Sequence, residues 1–498
     1  MNIFSINPWC SLSNQTNFVH KDQILHSLST QQKKILLIVS VIFNSLASLY
    51  LVYHSYFKVK ILTNKDAPQM TAISDQLSST QVKDNPQEEV HLVSKQIDNY
   101  EKVHCLSLEE YLKVAKEIET DIQVITFKYQ TITDDQLQDF INARPNIKKI
   151  NLIGCNYITN QGLINLPENL YEINLSECFQ LTNSAIKNLP ENLRILVLSD
   201  CIKLTDGIIY DLPKNLKELY LNGCSKLTDK IIKDLPKNLR VLDLSGCQIT
   251  AAAIKDLPKN LKEFDLYGCD NLTDAVIQDL PFGLQQLDLG ACFHLTDAMI
   301  KNLPQNLRVL DLSECNLTNA SIKDLPKNLE SLNLSWCTQL TDDMMQDLPQ
   351  NLTALYLRGC HKITGAAVKN LPQSLKIINL SYCDKLTDAC IENLPSNLQQ
   401  LDLSKCCYLT DEGFKKLPKN LIILYLSDCL QLTDAVIKYL PRNLWKLDLS
   451  NCNNLTNMGI KDLPKNLEKL NLWGCYKLDN FTIYYLPKKL KRLRAHFS

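Results

Sequence analysis

The residues whose spacing first suggests chemistry are cysteines, because 15 of the 19 recur at intervals of 22 or 23 residues. If each interval contributes one strand to a stack, neighbouring cysteines lie about 5 Å apart, within the span of a disulfide bond. Oxidation would link such neighbours at random, so the row of thiols favours a reducing compartment. We therefore expect this region to face a cytosol, that of its own cell or of a host. The cysteines of the row are Cys155, Cys178, Cys201, Cys224, Cys247, Cys269, Cys292, Cys315, Cys337, Cys360, Cys383, Cys406, Cys429, Cys452 and Cys475.

No side chains with the spacing of a catalytic or metal site accompany this row. His294, His361 and His496 are scattered, and the chain has no Gly-rich phosphate loop. The charge is balanced, with 53 Lys and Arg against 54 Asp and Glu, so nothing draws the whole chain toward nucleic acid. We expect a protein that is not an enzyme, uses no cofactor or metal and binds no nucleic acid.

The cysteines mark copies of one sequence unit that recurs from about residue 122 to the C-terminus. Its pattern is L-x-x-L-x-L-S-x-C-x-x-L-T-D-x-x-I-x-x-L-P-x-N, as in residues 375–398. A fixed period of this length indicates a solenoid, in which stacking buries what one repeat cannot bury alone. The core of the pattern resembles the cysteine-containing subclass of leucine-rich repeat proteins. The L-P-x-N-L joins resemble those of bacterial effector repeats.

The resemblance covers residues 122–498 and implies an α/β fold, a leucine-rich repeat solenoid or horseshoe. A parallel β-sheet of about 17 strands would line its concave face, and short helices its convex face. In the copy around Cys383, side-chain alternation predicts that Ile378 and Leu380 point into the core. Thr387 or Asp388 would cap the short helix, and Asn397 would lie in the tight turn before the next strand, since asparagine tolerates left-handed geometry.

The N-terminal quarter of the chain lacks the repeat. Residues 1–34 are polar, and residues 35–57 contain no acidic, lysine or arginine side chain, which predicts a single transmembrane helix. A buried core helix is the alternative for that segment. Residues 58–100 have the composition of a flexible linker, and residues 101–121 predict a helix that caps the solenoid. The expected protein is single-pass, with its repeats facing a cytosol.

The candidate partner-binding surface is the concave face, which the fold does not dictate. Four aspartates fall between the inner strand residues of consecutive repeats and predict an acidic stripe for a basic protein partner. Neutralisation of the stripe by Arg240, Lys262 and Arg308, each three residues before an aspartate of the stripe, is the alternative. Aromatic residues on the same face are typical of binding hot spots, although ordinary surface scatter also explains them. The predicted site residues are Tyr220, Asp243, Asp265, Tyr267, Asp288, Asp311, Tyr356, Asp402, Tyr425, Asp448 and Trp473.

These observations predict a membrane-anchored, monomeric leucine-rich repeat protein that mediates protein–protein interaction. The bacterial-type joins imply an effector that acts in a host cell. Cysteine-containing repeats also resemble the substrate-recognition half of F-box proteins, which implies a role in a cullin-type ubiquitin ligase pathway. A purely structural protein of the membrane surface is a further alternative.

Overall fold

The computed structural model describes residues 123–496. The predicted membrane segment at 35–57, the linker and the capping helix at 101–121 lie outside the described residues. Within 123–496, no helix is long and apolar enough to cross a membrane.

Seventeen short strands form one sheet in which each strand pairs in parallel with the next along the chain. The predicted parallel sheet and its strand number are confirmed. The strands are β1 Val124–Thr126, β2 Lys149–Asn151, β3 Glu172–Asn174, β4 Ile195–Val197, β5 Glu218–Tyr220, β6 Val241–Asp243, β7 Glu263–Asp265, β8 Gln286–Asp288, β9 Val309–Asp311, β10 Ser331–Asn333, β11 Ala354–Tyr356, β12 Ile377–Asn379, β13 Gln400–Asp402, β14 Ile423–Tyr425, β15 Lys446–Asp448, β16 Lys469–Leu472 and β17 Arg492–Ala495.

One short helical segment follows each strand except the last and returns the chain to the start of the next. The α-helices are α1 Asp134–Asn142, α2 Asn319–Ile322, α3 Ala389–Glu392 and α4 Asn457–Ile460. The others are 3-10 helices at Asn160–Leu163, Asn183–Asn188, Asp206–Asp211, Asp229–Ile231, Ala251–Asp256, Asp274–Asp279, Asp297–Asn302, Asp342–Asp347, Gly365–Asn370, Gly413–Lys416, Asp434–Tyr439 and Asn480–Tyr485. Tight 3-10 turns suit this role, because a repeat of 22 or 23 residues leaves no room for long helices.

The core lies between the sheet and the helical segments. Leu375, Ile378, Leu380 and Ile391 are all buried, as the pattern predicts. The Cys383 thiol is buried with them and donates a hydrogen bond to the carbonyl of Leu357 in the preceding repeat, at 3.1 Å. Each cysteine of the row from Cys155 to Cys475 makes the equivalent bond to the preceding repeat. Cysteine at this position therefore joins repeats through its S–H group.

Asn397 does not use the left-handed geometry that asparagine tolerates, because it is not among the residues with positive φ. Left-handed backbone occurs instead at the residue before each cysteine of the row, for example Tyr382 at φ 61° and Gly359 at φ 71°. The asparagine of the join has another task, as Asn420 shows. Its amide donates to the carbonyl of Ser396 in the preceding repeat at 3.0 Å, so this side chain ties neighbouring turns together.

Candidate functional site

The concave face is the face of the sheet that points away from the core. In each repeat it carries the first and third residues of the strand and the residue two positions after the strand's third residue. Because the strands pair in parallel without offset, residues of equivalent position lie side by side. Asp243 pairs with Asp265, Asp265 with Asp288, and Asp288 with Asp311. The structure thus brings the four aspartates into one row across β6–β9, about 5 Å apart per strand.

Each of the four carboxylates also accepts a backbone hydrogen bond from the residue two positions later. Oδ1 of Asp243 accepts from the N–H of Ser245 at 3.0 Å, and Oδ1 of Asp311 accepts from Ser313 at 2.8 Å. The equivalent bonds of Asp265 and Asp288 measure 3.0 and 2.9 Å. One oxygen of each side chain therefore holds the end of its strand.

Asparagine does the same work elsewhere in this row. Oδ1 of Asn333 accepts from the N–H of Ser335 at 3.0 Å, and Oδ1 of Asn379 accepts from Ser381 at 2.9 Å. Asn174 makes the same bond to Ser176 at 3.0 Å. The turn needs an acceptor oxygen, which an amide supplies as well as a carboxylate. The negative charge at four consecutive repeats exceeds what this hydrogen bond requires.

Two of the three basic residues proposed to neutralise the row, Lys262 and Arg308, contact groups outside it. Lys262 Nζ donates to the carbonyl of Gly283 at 3.1 Å. Arg308 forms an ion pair with Glu330 in the next repeat. From β3 to β9, further carboxylates lie on the concave face or at the left-handed positions beside it. No lysine or arginine occupies either kind of position in these repeats. The further carboxylates are those of Glu172, Glu177, Asp200, Glu218, Glu263 and Glu314.

Two tyrosines of the predicted site lie among these carboxylates. The Tyr220 hydroxyl donates to Glu218 at 3.0 Å, and the Tyr267 hydroxyl donates to Glu314, two repeats further on, at 3.1 Å. Burial and the neighbouring carboxylate raise the pKa of both phenols well above the usual range. Both groups are therefore neutral hydrogen-bond donors that orient carboxylates at physiological pH.

The remaining predicted residues belong to later repeats. Tyr356 is half-buried on β11, and burial raises its pKa to about 12. Tyr425 accepts a hydrogen bond from Lys446 at 2.9 Å. Trp473 is 45% exposed, with the Arg494 guanidinium 5.4 Å from its ring centroid.

The last two aspartates of the predicted site are also in these repeats. Asp402 and Asp448 make the same strand-end bond as the four aspartates of β6–β9, each at 2.9 Å. Burial is the main cause that raises the pKa of Asp402 above its ordinary value. The predicted residues thus divide into an acidic group at β5–β9 and a mixed group at β11–β16.

Sequence reasoning placed Trp336 and Tyr382 on or beside the concave face but missed the left-handed position before each cysteine that displays them. Gly154, Gly223, Gly246, Gly268 and Gly359 adopt positive φ there, which glycine does without steric cost. This recurrence of glycine one residue before the cysteine was the signal available in the sequence. Other repeats place larger side chains at the position, including Trp336, Tyr382 and Lys405.

The described residues offer no candidate metal-binding site. Across residues 123–496, no three or more His, Cys, Asp or Glu side chains are grouped so as to hold a metal ion.

Comparisons with known proteins agree on the repeat. The family model described as "Leucine Rich repeat" matches residues 236–257, 304–325, 326–343 and 395–417. No curated protein matches the chain.

Three solved structures illustrate the similarity of this chain to known repeat proteins. The yeast Rad7 and Elc1 complex is 20% identical, with a TM-score of 0.45, and the match covers 76% of this chain and 95% of that one. An internalin from Listeria monocytogenes is 25% identical, with a TM-score of 0.44 and coverage of 59% and 83%. The TLR13–ssRNA13 complex is 21% identical, with a TM-score of 0.43 and coverage of 72% and 57%. The family match and the repeating strand geometry show that the chain contains leucine-rich repeats. This architecture is suited to protein–protein interaction.

Proposed function

We propose that this chain binds another protein on its concave face, and that the aspartate row of β6–β9 receives a basic segment of that partner. The observation that carries the proposal is that asparagine satisfies the same turn hydrogen bond in other repeats. Unit charges about 5 Å apart repel by about 0.8 kcal/mol per pair even at the dielectric constant of water. A lysine- or arginine-rich segment would relieve this repulsion on binding.

The flanking residues extend this acidic surface. Glu218, Glu263 and Glu314 add carboxylates beside the row, and the Tyr220 and Tyr267 hydroxyls hold two of them in place. Aromatic side chains beside charged groups supply the contact area that dominates many protein interfaces. The favoured partner segment is therefore basic and extended, since the row runs across four strands.

Two narrower statements belong to the same proposal. Residues 35–57 would anchor the protein in a membrane, and the repeats would face the cytosol of its own cell or of a host. The buried row of thiols supports a reducing surrounding. As a second candidate, the protein would recognise substrates for a cullin-type ubiquitin ligase, which the cysteine-containing repeat favours by its resemblance to F-box proteins.

The test compares the full-length chain with a variant in which Asp243, Asp265, Asp288 and Asp311 are all changed to asparagine. This change keeps the acceptor oxygen of each turn and removes the charge. At position 311 it also removes the oxygen that accepts from the Asn333 amide, and D448N in the control loses the equivalent bond from Asn471. The matched control is D402N together with D448N, which alters the same strand position outside the row. Each form is used to capture proteins from eukaryotic cytosol at two salt concentrations.

We expect one protein to be retained by the wild type and the control and lost by the fourfold variant, with weaker retention at high salt. Ubiquitin-ligase subunits among the retained proteins would favour the second candidate. Equal retention by all three forms would refute the role of the aspartate row. Retention of nothing by any form would favour a purely structural protein.

A further inference from the structure

Four residues of β10–β13 and their following turns form a cluster outside the acidic row. Trp336, Tyr382 and Lys405 occupy the left-handed position of their repeats, at φ 62°, 61° and 62°. A bulky residue with positive φ is uncommon and costs about 1–2 kcal/mol. Arg358 lies between them in sequence, one residue before Gly359.

Gly359 permits the cluster to assemble. A Cβ atom at this position would lie 2.3 Å from Cε3 of Trp336, closer than any real contact. The missing side chain lets the Trp336 ring cross the intervening repeat and reach Tyr382, with ring centroids 5.7 Å apart and planes inclined by 54°. Two aromatic rings from alternate repeats therefore make a continuous surface.

Two cations lie on this aromatic surface. The Arg358 guanidinium carbon is 4.4 Å from the Tyr382 ring centroid and 6.0 Å from that of Trp336. Lys405 Nζ is 4.9 Å from the Tyr382 centroid, and Lys405 is exposed. Stacking on a ring holds a guanidinium in one plane, which suits paired hydrogen bonds to a carboxylate.

The acidic side chains nearest the cluster, Asp384 and Asp402, have partners of their own. His361 lies 5.7 Å from the Trp336 ring, and its Nδ1 is 3.2 Å from Oδ1 of Asp384. Asp402 on β13 accepts the backbone N–H of Ser404, and the charge of Arg358 acts to lower the Asp402 pKa against the larger effect of burial. Lys405 is the exposed cation of the cluster.

We propose that Trp336, Arg358, Tyr382 and Lys405 form a docking site for a carboxylate-bearing segment of the protein partner. The inference rests on the proposed use of the concave face, and it adds that the partner carries acidic as well as basic residues. The middle of the aspartate row and the middle of the cluster are four strands apart, or about 19 Å. An extended partner chain covers that distance with about six residues.

The test uses synthetic peptides and the full-length chain, with binding followed by fluorescence anisotropy of a label on the peptide. The first peptide has a lysine run, a spacer of about six Gly and Ser residues and a glutamate run. It is made in both sequence orders. The second replaces the glutamates with glutamine, and the third replaces the lysines with glutamine.

The site variant is R358Q with K405Q, and W336A is a second variant that leaves both cations in place. The matched control is K446Q with R494Q, because these cations also lie over rings, those of Tyr425 and Trp473. Circular dichroism confirms that each variant is folded.

We expect the first peptide, in one order, to bind the wild type about tenfold more tightly than the second. R358Q with K405Q should remove that difference, W336A should reduce it several-fold, and the control should change it less than twofold. If the first and second peptides bind with equal affinity to the wild type, and also to the site variant, the docking site is refuted. The proposed role of the aspartate row is then unaffected. If no peptide with a lysine run binds, both proposals fail.

Discussion

Thr228 is held by the carboxylate of Asp206 in the preceding repeat through two hydrogen bonds. Its backbone N–H donates to Oδ1 at 2.8 Å and its hydroxyl donates to Oδ2 at 2.7 Å. The T-D pair of the repeat motif is therefore a clamp between repeats, in addition to marking the start of a helical segment. In the copy for which a cap was predicted at Thr387 or Asp388, Asp388 is the N-cap residue. Threonine caps the helical segment through its hydroxyl in other copies, such as those of Thr364 and Thr433. Asp388, in contrast, makes no cap bond and clamps Thr410.

The clamp predicts the effect of changing Asp206. D206A leaves the Thr228 N–H and hydroxyl without this acceptor, and we expect a loss of about 2 kcal/mol in the free energy of unfolding. D206N should cost less than about 1 kcal/mol, because Asn183 makes the equivalent pair with Thr205. Urea denaturation measures both values, and hydrogen exchange of the Thr228 amide localises the effect. Equal losses for the two variants would contradict the clamp.

The left-handed position before each cysteine predicts an unusual response to alanine. Gly268 has φ 65°, and a Cβ built there meets nothing within 4 Å, so only the backbone opposes a side chain. We expect G268A to destabilise the protein by about 1 kcal/mol. G283A is the control, since Gly283 lacks positive φ and its Cβ would meet only the mobile end of Lys262. Thermal unfolding should show G283A as neutral or slightly stabilised, and the same loss in both variants would argue against backbone strain.

The burial of the thiol row predicts its reactivity. Sixteen of the seventeen described cysteines are buried, and Cys407 is exposed. In a chain carrying C10S and C105S, we expect one thiol to react rapidly with a disulfide reagent at pH 8, because thiolate attack requires both access and ionisation. All seventeen should react once the chain is unfolded in urea. Rapid reaction of several thiols in the folded protein would contradict the burial of the row.

The same thiols predict loss of stability at alkaline pH. Burial raises the pKa of Cys224 and of Cys269 to about 12, whereas a thiol in the unfolded chain titrates near pH 8.5. Because the folded state retains protons that the unfolded state loses, this stabilisation is complete below about pH 8.5 and disappears as the pH approaches 12.

Each such thiol should lower the free energy of unfolding by about 1.4 kcal/mol per pH unit in this window. Urea denaturation between pH 8.5 and 10, with a reductant present, measures the slope. Changing both Cys224 and Cys269 to alanine should make that slope shallower by about 3 kcal/mol per pH unit. Parallel slopes for the variant and the wild type would exclude the thiols as the cause.

The amino-acid sequence by itself determined the period, the parallel sheet and the buried positions. Ile378 and Leu380 flank the polar Asn379, and alternation along a strand is a local property that needs no knowledge of neighbouring repeats. The spacing of the cysteines likewise predicts that equivalent residues stack. For this reason the sequence alone predicted that Asp243, Asp265, Asp288 and Asp311 are neighbours on one face.

Only the tertiary structure decided which side chains meet between repeats. Thr228 finds Asp206 at a sequence separation of 22 residues, and the Cys383 thiol finds the Leu357 carbonyl at a separation of 26. The two separations differ although both contacts join neighbouring repeats of 22 or 23 residues. Each separation depends on where the two contacting residues lie within their repeats once the repeats are stacked. Trp336 reaches Tyr382 only because Gly359 between them lacks a side chain. A periodic pattern specifies which residues are equivalent, whereas the offset of stacked turns and the room above each backbone specify which of them touch.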